Sequence, residues 1–411
     1  MSWLPIPDDS DFSLHNIPFG VFLHPPTSTP HCATRIGNHV LDLHVISSSG
    51  GFDQLEGFSH FADVFQQPTL NAFARLGREP TDRVRSFLQS IFTSSGPGVL
   101  RDNEELRKKA LFEDPDPTML LPMQIGDYTD FCAGKVHAYN AGCLFRSPEK
   151  ALQVNYEHLP IGYHGRASSV LPPGTPVRRP WGQTAEGVFE KCKRLDLELE
   201  LAAFVGKEVG PWDSKNAEAA GEHIFGFVLM NDWSARDIQA FEYVPLGPFT
   251  GKNFGTSISP WIVLPSALTA FLTAPLQRTS KIPLQSYLQQ TRTETVYEIS
   301  LTAEINGHTF TKISGKNLLW SFDQMLAHHT VTGCGMNPGD LIGSGTISGT
   351  GSKEAGCLLE ATKGGKVSVA IAEGVERTWL EDGDVVVIKG HCGEGERRVG
   401  WGECKGLVLP A

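Results

Sequence analysis

Leu195-Asp196-Leu197-Glu198-Leu199-Glu200 alternates leucine with acid at the two-residue period of a strand, and the run continues through Leu201 to Val205. Three carboxylates therefore share one face. Same-face neighbours on a strand lie roughly 6–7 Å apart, and at an effective dielectric of about 20 two such anions repel by about 2–3 kcal/mol. Either that face is wet or a cation sits against it. An all-oxygen donor set suits a hard divalent ion, Mg²⁺ or Ca²⁺, and the lack of thiolates and imidazoles in the run argues against zinc.

Other groups with chemical potential are scattered along the chain. A buried strand at 224–230 ends in Asn231-Asp232, and the following segment has helical character; there Asp232, Arg236, Gln239 and Tyr243 fall at i, i+4, i+7 and i+11 on one stripe. A carboxylate at a strand end, followed by a guanidinium, an amide and a phenol in line, suits a charged, oxygen-rich ligand, and a surface helix with one Asp–Arg pair is the plainer alternative. Lys252 sits in a loop rich in glycine and proline that is not a P-loop, because Asn253 follows the lysine where Ser or Thr is needed. Such a lysine can present its ammonium to a developing oxyanion. Asp130 and His137 share a short, turn-rich run. Glu360 lies among apolar neighbours at 357–361, where burial raises a carboxyl pKa; it is a base, the orienter of a base, or a residue alternating outward.

Strands must position these groups. Forty-three glycines and 27 prolines in 411 residues point to short strands joined by tight turns, and the length allows two domains. A net charge of −11, with no basic run longer than Arg107-Lys108-Lys109, argues against nucleic acid and membrane surfaces and leaves a small molecule as partner. The eight cysteines form no C-x-x-C pair and read as reduced thiols; with an acidic start and no apolar segment of transmembrane length, a cytoplasmic location is expected. Segment 19–45 reads as short strands with Ile36-Gly37-Asn38-His39 as a hairpin turn, and 69–76, 81–93 and 104–112 read as helices, the second opening on Pro80-Thr81-Asp82 as a start signal and the last capped by Asp102. The X-Pro steps at 113–117 forbid helix continuation and set a boundary near 118, giving an N-terminal module (1–118) and a catalytic domain (119–411). Beyond it, strands are expected at 195–205, 224–230, 342–348, 357–361 and 385–389 among others. Asn306-Gly307 marks a type I′ hairpin, and 317–329 is the one long helix.

Six motifs resemble the fumarylacetoacetate hydrolase family in its eukaryotic-type form: Ile125-Gly-Asp-Tyr-Thr-Asp-Phe131, Gly162-Tyr-His-Gly-Arg-Ala-Ser-Ser169, Leu195 to Glu200, Met230 to Gln239, Tyr243 to Phe249, and Asn337 to Thr346. The likeness covers nearly the whole chain. It implies a mainly β (α+β) protein, with a small SH3-like N-terminal barrel and a larger C-terminal β-sandwich roll, assembled as a homodimer. It implies hydrolysis of a carbon–carbon bond in a diketo acid, 4-fumarylacetoacetate, to fumarate and acetoacetate, the last step of tyrosine and phenylalanine breakdown. Asp130, Glu198, Glu200 and Asp232 match the family's cation ligands, leaving Asp196 outside that set, and Lys252 and Thr256 match contacts to a second ion and the substrate. His137 matches the general base, Glu360 the carboxylate that orients it, and Arg236, Gln239 and Lys252 the group that stabilises the oxyanion. Arg146, Tyr163, Gln239, Tyr243 and Thr346 match substrate contacts.

One position departs from the pattern. Cys132 stands where the family has a substrate-contacting tyrosine, and a thiol is a shorter and weaker donor than a phenol. A bond lost to a charged group costs about 1.5–3 kcal/mol, ten- to a hundredfold in affinity. The alternative that Cys132 favours is a related acylpyruvate hydrolase, or a decarboxylase or isomerase of β-keto acids.

Overall fold

The computed structural model describes residues 1–411, except for the side chain of Ala62. Its first unit is a four-stranded antiparallel sheet of Phe19–His24, Thr29–Ile36, His39–Asp42 and Leu111–Glu113, in sequence order. The expected turn joins Ile36 to His39, with Gly37 at φ +53°, as a two-residue hairpin of the primed type requires.

Helix Arg78–Phe92 buries Val84, Phe87, Leu88, Ile91 and Phe92 at helical spacing, against Phe19, Phe65 and Phe73 among others. It begins three residues before the expected position. Pro80 lies inside the first turn, where a missing N–H is not needed for the helix ladder, so it does not mark the start. The next helix, Glu104–Ala110, is capped by Asn103 rather than Asp102, since Asn103 accepts from Leu106 N at 3.1 Å. It stops short of 112 because Leu111 and Phe112 pair with Leu41 and Val40 in the sheet.

A seven-stranded mixed sheet follows, ordered Gly162–His164, Tyr128–Phe131, Leu341–Gly343, Leu199–Val205, Ile224–Asp232, Thr256–Ile258 and Val170–Leu171. Its two central strands are buried at every residue. Leu199, Leu201, Ala203 and Val205 face one core, whereas Ala202 and Phe204 face the core of the N-terminal unit. The first core is completed by a five-stranded sheet, ordered His308–Ser314, Ser300–Ile305, Val385–Cys392, Val399–Leu409 and Val177–Arg178. Its hairpin turns at Asn306 (φ +53°) and Gly307 (φ +79°), as the dipeptide requires. The fold is mixed α+β and rich in strands.

Three further expectations need correction. Helix Phe322–Thr330 starts only at the Ser321/Gln324 capping box, not at 317. Strand 224 runs on to Asp232, which lies at the strand end as expected, but the next helix starts only at Arg236 and spans Arg236–Glu242, so the four residues do not share one helix stripe. Segment 357–361 is a helical turn, Leu358–Ala361, not a strand, and this aims Glu360 sideways at the helix Lys135–Phe145.

Candidate active site

The 195–205 run is not one strand but two, Leu195–Asp196 and Leu199–Val205, in separate sheets, and its acids are dry: Asp196, Glu198 and Glu200, like Asp130 and Asp232, are each at most 4% exposed. The sheet register explains how they meet. Asp130 pairs with Tyr163 on one side and Gly343 on the other, and Gly343 pairs with Ala202, so these four side-chain positions form one row across the sheet. Asp232 pairs with Thr256. Glu200 lies between them along its strand, and oxygens of Asp130, Glu200 and Asp232 converge to within 4.8 Å of one another. A Cβ on Gly343 would stand 2.6 Å from Asp130 Oδ1, so the glycine makes room for the carboxylate.

Burial and mutual repulsion push the carboxyls of Asp130 and Glu200 well above their ordinary range, and burial raises Asp232 as well. Both oxygens of Glu200 are buried without a hydrogen-bond partner. Lys252 is ion-paired with Glu198 and Asp232, and Arg236 with Asp196 and Glu198 (2.9 and 2.6 Å). Five buried carboxylates thus face two buried cations. An unpaired buried carboxylate costs several kcal/mol, and a divalent cation among hard oxygen donors removes that cost. The residues fit such an ion. Glu198 lies outside the converging three; Arg236 and Lys252 hold its oxygens, and Lys252 also reaches across to Asp232.

Beside the acids, His137 Nδ1 lies 2.7 Å from Glu360 Oε1, and His137 Nε2 points toward Glu198 at 4.0 Å. Burial opposes the charged imidazole, but the Glu360 carboxylate outweighs it and the His137 pKa is raised; His137, with Ser348 and Asn140, in turn holds Glu360 down to about 2 despite its burial. Ser348 Oγ donates to Oε1 (2.7 Å) and Asn140 Nδ2 to Oε2 (2.9 Å). Every partner of Glu360 is a donor.

A cavity of about 520 Å³ opens onto this assembly. Its wall carries Asp130, Cys132, His137, Arg146, Tyr163, Glu198, Glu200, Arg236, Gln239, Tyr243, Lys252 and Thr346; Asp232, Thr256 and Glu360 stand behind it. Tyr163 donates to Asp232 Oδ2 at 2.8 Å, and Thr256 lies 3.3 Å from Asp232 Oδ1. Arg146 is exposed at the rim with its guanidinium on the carbonyls of Lys150 and Ala151. All three nitrogens of Arg236 are engaged, the third with Gln239 Oε1 at 3.1 Å, and this leaves the Gln239 amide N–H groups as free donors. Burial pushes the thiol of Cys132 up to about 12, which disfavours the thiolate form.

Several residues here went unrecognised in the sequence. Asn140 and Ser348 brace Glu360. Glu242 accepts from Phe249 N and Gly251 N (both 2.7 Å) and pins the loop that presents Lys252. Arg194, Lys363 and Lys366 add positive charge to the cavity wall. None belongs to a local pattern that marks it.

The chain matches the family descriptions "Fumarylacetoacetase N-terminal" over residues 15–122 and "Fumarylacetoacetate (FAA) hydrolase C-terminal" over 128–403. It is 52% identical to the fumarylacetoacetase of Aspergillus fumigatus and 47% to that of Arabidopsis thaliana, over 100% of this chain and 98% of each relative. To the Homo sapiens enzyme it is 45% identical, over 100% of this chain and 99% of the relative. Among solved structures, a fumarylacetoacetate hydrolase from Exiguobacterium antarcticum shares the fold, with TM-score 0.55 and 17% identity over 96% of this chain and 100% of that one. With both halves matched and identities of this size over the full length, the chain belongs to the fumarylacetoacetate hydrolase family.

Proposed function

We propose that the chain hydrolyses the carbon–carbon bond of 4-fumarylacetoacetate, giving fumarate and acetoacetate at the end of tyrosine and phenylalanine breakdown. The observation that carries the reading is the His137–Glu360 pair at the wall of a cavity shared with a converging acid cluster. Asp130, Glu198, Glu200 and Asp232, with Lys252 and Thr256 beside them, would hold Mg²⁺ or Ca²⁺; bound there, the ion supplies Lewis-acid stabilisation of negative charge on the diketone oxygens.

The chain's own residues do the rest. Glu360 accepts the Nδ1–H of His137 and so keeps Nε2 free to take a proton from water. The resulting hydroxide adds to the fumaryl group's own carbonyl, which becomes the new carboxylate of fumarate, and the Lys252 ammonium and the Gln239 amide, aimed by Arg236, face the oxyanion. The bond to the acetoacetate carbon then breaks, its electron pair leaves with that carbon, and His137 returns its proton there. Arg146, Tyr163, Tyr243 and Thr346 hold the substrate's carboxylates and carbonyls, with Arg194, Lys363 and Lys366 supplying further positive charge to a dianion.

Incubation of purified protein with 4-fumarylacetoacetate and with acylpyruvates tests the assignment by kcat/KM. A preference for acylpyruvates replaces it with the second reading, which Cys132 in the cavity wall supports. Cys132→Tyr lowers KM for fumarylacetoacetate if the thiol is what weakens the pocket.

The same proposal carries a division near residue 118 into an SH3-like module and a β-roll, and a homodimer. Exposed Phe145, Val244, Leu246 and Phe249 support association with a second copy, which light scattering measures. A cytoplasmic address is supported by eight unpaired cysteines. Among the described residues no helix is long and apolar enough to cross a membrane.

A further inference from the structure

Asp196 has no role in the chemistry above, yet its fully buried carboxylate carries four hydrogen bonds. Oδ1 accepts from Leu197 N at 2.9 Å and from Leu358 N at 2.7 Å; Oδ2 accepts from Leu359 N and from Arg236 Nε, both at 2.9 Å. Three segments meet on this one side chain: the acid strand, the turn Leu358–Ala361, and the head of helix Arg236–Glu242. On one side the gripped turn carries Glu360, the residue after Leu359, whose Oε1 lies 2.7 Å from His137 Nδ1. On the other the bonds continue through Arg236 to Glu198 Oε1 at 2.6 Å and Gln239 Oε1 at 3.1 Å.

A plain tie between strand and turn needs only a neutral acceptor. A carboxylate costs more to bury, and what it adds is a charge-assisted grip on a guanidinium with fixed geometry at two oxygens. We infer that Asp196 is a positioning residue for the hydrolysis proposed above. It holds the turn that aims Glu360 at His137 and the guanidinium that aims the Gln239 amide, so one side chain sets the proton acceptor and the oxyanion donor relative to each other. The inference rests on that reading of the function.

Asp196→Asn tests it, because the amide keeps the size and the Oδ1 acceptor but sets an NH₂ against Arg236 Nε and Leu359 N. In the cation-loaded enzyme, kcat falls about 30- to 100-fold while KM stays within about threefold. Combined with Arg236→Ala, the loss is not additive: the double variant falls no more than about threefold below Arg236→Ala alone. A merely structural role lowers the unfolding midpoint and the folded fraction but leaves kcat per folded molecule unmoved, and that result, or additive losses, overturns the inference. If Asp196→Asn does not fold, Arg236→Lys reads the same link, since lysine keeps the charge but loses the fork that joins Asp196 to Gln239. An Arg236→Lys enzyme with wild-type kcat overturns it equally. A wild-type protein that does not turn over the diketone refutes the function instead, and the cycle of unfolding midpoints then decides the Asp196–Arg236 link, additive losses again counting against it.

Discussion

Replacing Glu360 by glutamine is the sharpest test of the His137–Glu360 assignment. The four groups around this carboxylate, His137 Nδ1–H, Ser348 Oγ–H, Asn140 Nδ2–H and the Cys357 thiol, all donate to it. Glutamine must place an NH₂ against at least one of them. Turned toward His137, the amide makes Nδ1 the acceptor and moves the ring proton to Nε2, the atom that must take a proton from water. Turned the other way, it keeps the tautomer but withdraws the charge. The charge-assisted bond is worth about 1.5–3 kcal/mol, and at an effective dielectric of about 20 the nearby charge adds about 4 kcal/mol of imidazolium stabilisation before screening. Even half the sum corresponds to a loss of about 10²-fold in kcat, and the wrong tautomer brings it toward 10⁴-fold. The pH profile carries the sign. His137 acts when neutral, and its pKa is raised by Glu360, so wild-type kcat/KM falls as pH drops through a value above that of an ordinary histidine. Without the carboxylate that acid limb moves to lower pH, while the plateau collapses. Fumarate release measured across about pH 5 to 9 reads both. A Glu360→Gln enzyme within about tenfold of wild type, with an unmoved acid limb, refutes the assignment.

Excess chelator abolishes turnover and lowers the unfolding midpoint; at a cation concentration of 100 times its Kd the ion contributes about 2.7 kcal/mol, and the ion that restores both properties at the lower concentration identifies the natural one. Glu200→Leu removes a carboxylate with no hydrogen-bond partner, so the metal-free variant gains about 1–3 kcal/mol in chemical denaturation while cation binding by calorimetry falls at least about a hundredfold. Gly343→Ala sets a methyl 2.6 Å from both Asp130 Oδ1 and Met230 Cε, and it weakens cation binding about tenfold or more with the far-ultraviolet circular dichroism unchanged. Equal cation affinity in either variant refutes the assigned cluster.

Patterns with a local cause were legible in the sequence. The acid–leucine alternation reports its own face because side chains alternate along any strand, and Asn306-Gly307 reports its own turn because both residues accept positive φ. Readings failed where two local rules competed. Pro80 serves equally as a helix start and as a first-turn passenger. Five residues from Cys357 to Ala361 are too few for period alone to separate a strand from a helical turn. Asp232 and Arg236 are four apart, but a strand end and a helix head divide them. Asn140 and Ser348 left no trace, since each acts on Glu360 from another segment, Asn140 from 220 residues away.

What sequence cannot supply is register, and register is what makes the site. Asp130 sits in a row with Tyr163, Gly343 and Ala202, while Asp232 sits in a row with Thr256, two pleats along on the same face. Glu200, opposite Met230, occupies the row between. A one-residue slip of Tyr128–Phe131 against Leu341–Gly343 would turn the Asp130 carboxylate to the opposite face and remove one of the three converging acids. The registers are held in turn by apolar alternation: Leu199, Leu201 and Ala203 must enter one core while Ala202 and Phe204 enter the other. The leucines that make the acid strand recognisable therefore also fix where its acids point, and the cost of gathering buried carboxylates is met by the two cores that the same strand separates.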